Sequence, residues 1–258
     1  MRLMKRILSA AAVLALSASL LVGCSSGTAS SVPVSASSAA ESTVSSVEET
    51  ASSAVDENEA AAAQLLNDLT GSYQELWPVI LADEYKQTWL DDCTALVGED
   101  NAEAAFEKLS SMVTGDVYGE DAVKAYANGG GAYFCGFTNS LATLTFDGET
   151  STISGTDKDG NVLFSHAYHY IGMEPVRGLY EFESDDADSG EFTYFFLAPD
   201  TSAETYHIEF RYGSDAEALS QYDVGEYAYW LASGISTDCD QTMIDNCIEL
   251  FCTENLAG

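Results

Sequence analysis

The feature that most constrains the fold is a run of short apolar segments between residues 132 and 212. Each segment is rich in β-branched and aromatic side chains, and turn residues such as Asp147-Gly148 and Asp159-Gly160 separate the segments. Strands of this length and spacing predict an antiparallel meander that closes, or nearly closes, into a barrel. The seven segments are AYFCGFT, LATLTF, STISGT, NVLFSHAYHY, GLYEFE, FTYFFLA and TYHIEFRY.

Helical patterns flank the predicted barrel. On its N-terminal side, amphipathic helices are predicted for residues 60–69, for SYQELWPVIL and EYKQTWLDDCTALV, and for residues 101–113. On its C-terminal side, residues 215–222 and the segment with Cys247 and Cys252 have helical spacing. We therefore expect a mainly β domain with N-terminal helices and a C-terminal helix.

The N-terminus has the pattern of a bacterial lipoprotein signal. Basic residues precede the apolar run 7–22, and Leu21-Val22-Gly23-Cys24 matches the lipobox, in which a small residue precedes the cysteine that receives lipid. We expect the signal peptide, residues 1–23, to be removed and Cys24 to be lipidated. This anchor would hold the protein on the extracytoplasmic side of the cell membrane.

The next stretch differs in composition from the rest of the chain. Residues 24–59 consist of the lipidated cysteine and a segment rich in Ser, Ala and Glu without aromatic side chains, which cannot bury enough apolar surface to offset chain entropy. We expect a disordered tether there. Residues 60–258 are enough for one domain with a sizeable core.

The charge of the chain excludes one class of partner. The chain has nine basic and 42 acidic residues, and its net charge is −33. Three of the basic residues and none of the acidic ones lie in the signal, so the mature chain keeps six basic residues and a net charge of −36. Such a surface repels phosphate backbones, so a nucleic acid is not an expected partner, whereas cations accumulate loosely near it.

The cysteines do not form a recognisable metal motif. Besides Cys24 the chain has five cysteines, an odd number, so at least one is unpaired within the chain or pairs with another molecule. Cys247 and Cys252 lie on the apolar face of the last predicted helix and are expected to be small core residues. The chain has no CxxC pair, which disfavours a zinc–thiolate cluster.

The sequence lacks the signatures of common enzymes in a suitable context. Its GxSxG match, GCSSG at residues 23–27, overlaps the lipobox and does not lie in a strand–turn–helix setting. The sequence contains no HExxH and no P-loop, and its three histidines leave few candidates for a catalytic base, so no enzyme activity is predicted. The acidic segment 183–191 lacks the ligand spacing of a calcium-binding EF-hand loop and is expected to be a solvated hairpin loop.

The histidines are interpreted from strand geometry. Successive side chains of a strand point to opposite faces, so His166 and His169, three residues apart, cannot both reach one ion. His207 shares its face with Glu209 and Arg211, while the alternate face is apolar. We therefore expect His207 on the more polar side of its strand, which we assign to the barrel lumen.

Several segments resemble, in order, the ZinT (YodA) family of zinc-binding lipocalin-like proteins. The resemblance runs from about Leu69 to Phe251 and is carried by LTGSYQELWPVIL, GLYEFESDDADS, FFLAPDTSAETYHI and ISTDCDQTMIDNCIELF. The ZinT domain also occurs fused behind the zinc-binding component of AdcA-type transporters. The resemblance implies a lipocalin-like (calycin) barrel, zinc as the ligand, and a role in zinc acquisition with a zinc ABC transporter component as partner.

The ligand positions of that family are only partly kept here. The family has a histidine three residues before an Ala-Pro pair and a His-x-His after it; Ala198-Pro199 is the matching pair, and Phe195, Thr205 and His207 occupy the three positions. His207 alone matches a ligand, and one imidazole cannot hold zinc tightly. The nearby donors that could complete a weaker site are His169, Glu204 and Glu209.

Two hypotheses follow. The first is a lipid-anchored, extracytoplasmic, non-catalytic protein of the ZinT type that binds a divalent metal, zinc, through a weakened or relocated site. The second is a barrel that has lost its metal and binds a small apolar ligand or a protein partner through Phe195, Tyr206, Phe210 and Tyr212.

Overall fold

A closed antiparallel barrel forms the body of the protein. The computed structural model describes residues 57–198 and 207–257. Within these residues each strand pairs antiparallel with the next one along the chain, and the first strand also pairs with the last. The predicted barrel is thereby confirmed. Its strands are β1 (Gly71–Glu75), β2 (Thr143–Asp147), β3 (Thr152–Thr156), β4 (Val162–Met173), β5 (Tyr180–Ser184), β6 (Tyr194–Leu197), β7 (His207–Gly213) and β8 (Ala232–Ser236).

Helices precede, interrupt and follow the barrel strands, as predicted. No helix within the described ranges combines the length and the apolar character that a membrane crossing needs. Short 3₁₀ turns occur at Asp83–Tyr85 and Gly190–Phe192. The helices are α1 (57–68), α2 (Leu76–Ile80), α3 (Lys86–Val97), α4 (Glu99–Val113), α5 (Glu120–Ala127), α6 (Ala216–Leu219) and α7 (Gln241–Leu256).

Three sequence expectations about the strands need correction. Residues 72–75, the start of SYQELWPVIL, were predicted to be helical but belong to β1, because the backbone of β1 pairs with both β2 and β8. Residues 132–138 were predicted to be a strand, yet this segment contributes only isolated bridges from Phe134 to Thr114 and Trp230. The strand β8 was not predicted, since ASGIS has neither an apolar run nor a clear alternation.

The lumen of the barrel is filled with apolar side chains. Residues that alternate along the strands point inward and form one cluster, which α1 joins through Leu65 and Leu66, and which Leu69 joins from the turn after α1. An eight-stranded barrel has an interior just wide enough for side chains to fill it, and this one is filled largely by aromatic rings. We call the following strand residues the lumen cluster: Tyr73, Leu144, Phe146, Ile153, Phe164, Tyr168, Phe182, Phe195, Leu197, Ile208, Phe210, Tyr212 and Ala232.

A second apolar cluster lies between the outer wall of the barrel and the helices. The helix α3 packs against α4 and α7, and α2 packs against β8 and α7. Ile235 of β8 is the member of this cluster that comes from the barrel wall. We call these residues the seam cluster: Leu76, Trp77, Ile80, Trp89, Cys93, Ala102, Ala105, Leu109, Cys135, Ile235, Ile244, Cys247, Ile248 and Cys252.

Local chemistry explains where the relevant elements begin and turn. The Oδ1 atom of Asp240 accepts a hydrogen bond from the backbone N–H of Met243 at 3.0 Å, so Asp240 is the N-cap of α7. In the β2–β3 hairpin, Oδ1 of Asp147 accepts from the N–H of Glu149 at 3.1 Å. Gly148 is required in this hairpin because a Cβ atom there would lie 2.4 Å from the Cα of Asn67 in α1.

Candidate metal site

His207 lies on the outer face of the barrel wall. It is the first residue of β7 and pairs with Ile235, a member of the seam cluster. Its neighbours along the strand, Ile208 and Phe210, belong to the lumen cluster and point the other way. The expectation that His207 faces the lumen is therefore wrong, although its predicted separation from the apolar face of β7 is correct.

Arg211 explains why the sequence pattern assigned the wrong face of β7 to the lumen. This residue lies on the same face of β7 as His207 but is fully buried, and its guanidinium donates hydrogen bonds to the carbonyls of Leu219, Gln221 and Tyr227. Burial lowers the pKa of Arg211. Because other parts of the chain cover the outer face of β7, a polar pattern there does not mark the side that faces the interior of the barrel.

A small crevice opens at His207. It has a volume of about 70 Å³, and its polar lining comes from His207 and Glu209 of β7 and from Cys247 and Glu254 of α7. Residues 207 and 209 are two apart on one strand, so both side chains project from the same face. Residues 247 and 254 are seven apart on one helix, which places them on the same side two turns apart. The crevice thus receives donors from two separate elements.

The rest of the crevice wall is apolar. It includes Trp77 and Ile80 of α2 and Phe251 of α7. The rings of Trp77 and Phe251 meet edge to face, with centroids 4.7 Å apart. Helix α2 thus meets α7 along this wall, and the polar donors stand at the edge of an apolar surface.

Two buried cysteines supply thiols in this region: Cys247 in the crevice wall and Cys135 near Glu209. Burial, followed by the nearby carboxylate of Glu209, raises the pKa of the Cys135 thiol to about 12. Burial, followed by Cys239, raises the pKa of the Cys247 thiol to about 12. Both thiols are therefore neutral at neutral pH unless a cation stabilises the thiolate.

His169 lies far from His207. On the outer face, His169 of β4 pairs with Glu183 of β5, which pairs with Tyr194 of β6, which pairs with Gly213 of β7. Gly213 is six residues along β7 from His207, which corresponds to about 20 Å at the rise of a strand. The structure therefore does not bring His169 and His207 together.

His166 and His169 each lie within hydrogen-bond distance of an aspartate. Nδ1 of His169 lies 2.7 Å from Oδ1 of Asp185, and Nδ1 of His166 lies 2.7 Å from Oδ2 of Asp186. His166 is on the lumen side of β4, since it pairs with Ile153, whereas His169 is on the outer side. The prediction that these two histidines cannot share an ion agrees with this geometry. The segment between β5 and β6 is a hairpin loop, as expected.

The remaining predicted ligand lies outside the described residues. This ligand is Glu204, which falls in the range 199–206 together with Thr205 and Tyr206. Among residues 57–198 and 207–257, no group of three or more His, Cys, Asp or Glu side chains has a geometry that could hold a metal ion. Of the predicted ligands, the structure brings together His207 and Glu209.

The donor types in the crevice nevertheless suit zinc. Zinc binds imidazole nitrogen, thiolate sulfur and carboxylate oxygen, and His207, Cys247, Glu209 and Glu254 offer one or another of these. A volume of about 70 Å³ accepts an ion with some of its water but is well below the roughly 300–1,000 Å³ of a pocket for an organic ligand. The residues fit an open, partly hydrated site better than a closed structural one.

The sequence interpretation missed the contribution of α7. Cys247 was expected to be a core residue, which its burial confirms, but it also lines the crevice. The spacing of Cys247 and Phe251, together with that of Ile244, Ile248 and Cys252, did indicate a single helix face. Nothing in the local pattern showed that this face lies opposite His207, because the contact joins two distant parts of the chain.

Comparisons with known proteins give matches among solved structures. The chain is similar to the Zn(II)-bound ZinT-like domain of Streptococcus pneumoniae AdcA, with 15% identity, a TM-score of 0.46, and coverage of 71% of this chain and 89% of that domain. It is also similar to Zn(II)-bound AdcA from the same organism, with 14% identity, a TM-score of 0.43, and coverage of 71% of this chain and 35% of that one. No protein-family model and no curated protein matches the chain. At this identity the likeness concerns the fold alone.

Proposed function

We propose that the protein is a lipid-anchored, extracytoplasmic binding protein that holds a divalent metal ion, zinc, in the crevice between β7 and α7. The observation that carries this proposal is that His207 and Glu209 enter the same crevice, where Cys247 and Glu254 of α7 face them. His207 is also the residue at the ligand position that the sequence resemblance implies. Zinc is the ion that this resemblance implies and that the mixed donor set suits.

Each residue would have a distinct role. The imidazole of His207 would be the neutral nitrogen ligand, and the carboxylate of Glu209 would supply an oxygen ligand and balance the charge of the ion. Glu254, at the exposed rim of the crevice, and Glu204 are candidates for a further oxygen ligand. Because the site keeps solvent access, we expect weak, reversible binding, which suits passing the ion to a zinc ABC transporter component and does not require catalysis.

The charge of the protein supports this role. A mature chain with net charge −36 concentrates cations near its surface and raises their rate of encounter with the crevice. This effect is not specific for zinc, so the experiment must separate binding at the crevice from loose binding to the acidic surface.

The test is isothermal titration of the mature chain with zinc at physiological ionic strength. We expect saturable binding that His207→Ala weakens at least about tenfold, since removal of a ligand costs at least as much as removal of a supporting residue. Glu209→Gln should weaken binding as well. The matched control is His169→Ala, which removes another outer-face histidine that is 53% exposed and bonded to Asp185.

The outcomes separate the alternatives. Equal binding by the wild type and His207→Ala, or heat without saturation, would contradict the crevice as the metal site. A loss of binding in His169→Ala alone would place the ion near the β4–β5 wall instead. The lipid anchor has its own test: Cys24→Ser should move the protein from the membrane fraction to the soluble fraction of cells, and continued membrane association would argue against lipidation.

The structure disfavours an apolar ligand in the lumen. Phe195, Phe210 and Tyr212 are each fully buried, with ring centroids 5.4 to 6.4 Å from one another. Among the described residues, these three rings pack against one another, which favours a stabilising role for them. Tyr206, the fourth aromatic residue of that hypothesis, lies outside the described residues.

A further inference from the structure

Two cysteines from opposite ends of the domain meet in the seam cluster. Cys93 lies on α3 and Cys252 on α7, and their Sγ atoms are 3.9 Å apart. Both residues are fully buried, with an exposed fraction of 0%. The two helices pack directly against each other, so the contact joins two rigid elements rather than loops.

We propose that Cys93 and Cys252 form a disulfide bond in the mature protein and that this bond fastens the C-terminal helix to the body of the domain. The proposal rests on the extracytoplasmic location in the proposed function, because disulfides persist in oxidising compartments. The sulfur atoms must approach by about 2 Å to reach the bond length of about 2.05 Å. Adjustment of the two side chains and a small shift of the helices can supply that distance.

The reaction is a thiol–disulfide exchange with a disulfide oxidant, either a small molecule or a protein. One cysteine thiolate attacks a sulfur of the oxidant, forms a mixed disulfide and expels the first thiolate of the oxidant. The second cysteine thiolate then attacks the cysteine sulfur of the mixed disulfide and expels the other. Two thiols lose two electrons and two protons in total, and the oxidant leaves as two thiols.

Burial determines when this reaction takes place. Both thiols have an exposed fraction of 0%, so an oxidant cannot reach them in the folded protein. The bond therefore forms during folding, before α7 is fully docked on α3. Once formed, it is shielded from reductants by the same burial.

The bond would also affect the crevice. Helix α7 carries Cys252 and, on the crevice side, Cys247 and Glu254. A covalent link to α3 therefore holds one wall of the crevice in place relative to the barrel. Cys135 is also a buried cysteine of the seam cluster, but it lies outside the helices. It takes no part in the proposed link between α3 and α7.

The experiment uses the mature chain with Cys24→Ser, which removes the lipid and the sixth thiol. The reduced, unfolded chain is refolded in a buffer of oxidised and reduced glutathione, free thiols are blocked with N-ethylmaleimide, and the digest is analysed by mass spectrometry. We expect a peptide pair joined through Cys93 and Cys252 in the parent chain and in the control Cys135→Ser, and no such pair in Cys252→Ser.

A stability measurement accompanies the mapping. Reductant should lower the urea midpoint of the refolded parent chain and of Cys135→Ser but leave that of Cys252→Ser unchanged. The comparison of the oxidised and reduced parent chain needs no further variant, so it holds even where a variant does not fold. Five blocked thiols after refolding, or a bond between other cysteines, would overturn the proposal.

A further experiment tests the Cys93–Cys252 pairing and the extracytoplasmic location separately. Thiols are trapped by acid in whole cells before the protein is extracted. The Cys93–Cys252 bond in that protein supports both the pairing and the oxidising location. Free thiols there, together with the bond in the refolded chain, would support the pairing and count against the extracytoplasmic location.

Discussion

The lumen cluster and the seam cluster are both buried, but they differ in chemistry. The lumen cluster is mainly aromatic and aliphatic, and its strand residues are at most 9% exposed. The seam cluster contains cysteines and borders the crevice at His207 and Glu209. The first is the interior of a closed sheet, and the second is the contact between that sheet and a layer of helices.

This difference indicates where function can arise in such a barrel. In the described residues, a lumen packed with rings serves to stabilise the fold. A contact between a sheet and helices is less regular, and it leaves a gap where side chains with nitrogen, oxygen and sulfur donors meet. The following predictions test that division of roles, in order of expected effect.

The largest effect is expected from Phe210→Ala in the lumen. Phe210 is fully buried, and its ring centroid lies 5.3 Å from that of Phe137 and 5.8 Å from that of Tyr212. Truncation should lower the free energy of unfolding by about 3–5 kcal/mol, measured by urea denaturation without metal. The control Val162→Ala, at a site that is 70% exposed, should change it by less than about 0.5 kcal/mol. A loss below about 1 kcal/mol in Phe210→Ala would contradict the stabilising role of the lumen.

A smaller effect is expected from Trp89→Phe in the seam. The Nε1–H of buried Trp89 donates to the carbonyl of Ile80 at 2.7 Å, and phenylalanine would leave that carbonyl without its donor. The free energy of unfolding should fall by about 1–3 kcal/mol. Trp230→Phe is the matched variant in the barrel, since Nε1–H of Trp230 donates to the carbonyl of Gly136 at 2.9 Å. Similar losses are expected, and an unchanged stability for Trp89→Phe alone would show that the seam tolerates the change.

Removal of the α7 cap should have an effect of about 1 kcal/mol. In Asp240→Ala the N–H of Met243 loses the carboxylate that accepts its hydrogen bond. Urea denaturation should show this loss, while Asp238→Ala, an exposed aspartate just before the cap, should stay within about 0.5 kcal/mol. Equal stability of the two variants would mean that α7 is held by packing alone.

The smallest effect is a gain of stability in Asp92→Asn. Burial, then the carboxylates of Glu249, Asp245 and Asp91, raise the pKa of Asp92 on α3. An acid whose pKa is raised in the folded state costs stability above that pKa, so the variant should be more stable near pH 7. The gain should not exceed about 0.5 kcal/mol, because Asp92 is only partly buried and solvent screens its charge.

The pH dependence of this gain provides the check. As the pH falls through the raised pKa, the wild type becomes protonated and recovers the lost stability, so the difference from Asp92→Asn should vanish below about pH 4. The control is Asp159→Asn at an exposed turn, because the carboxylate of Asp159 is not among those that raise the pKa of Asp92, and this variant should show no comparable gain. A difference that stays constant from pH 7 to pH 4 would exclude the ionisation of Asp92 as its cause.

The fold could be predicted where a residue pattern lies within one segment. The strands β2 to β7 were found because their residues alternate or form apolar runs between turns, and α7 was found because its apolar residues recur at helical spacing. The strand β1 was missed, since Tyr73 and Trp77 are four residues apart and imitate a helix face. Its pairing with β2 and β8 decides the conformation.

The candidate site was predictable only in part. His207 and Glu209 were assigned to one face because adjacent residues of a strand alternate, and the crevice contains both. The choice of the lumen as the polar side was wrong, because helices cover the outer face of β7 and make both faces largely buried. Burial of Arg211 outside the lumen shows that polarity does not identify the interior here.

The sequence by itself determined the local patterns: strands of period two, a C-terminal helix with one apolar face, and the segments that resemble the zinc-binding family. Only the tertiary structure decided which face of the sheet is the lumen, that β1 closes the barrel on β8, and that Cys93 meets Cys252 across 159 positions of the chain. The physical reason is that a period arises from the geometry of neighbouring residues. The pairing that closes the barrel, and the choice of the sheet face that becomes the lumen, depend on which distant surfaces bury the most area together.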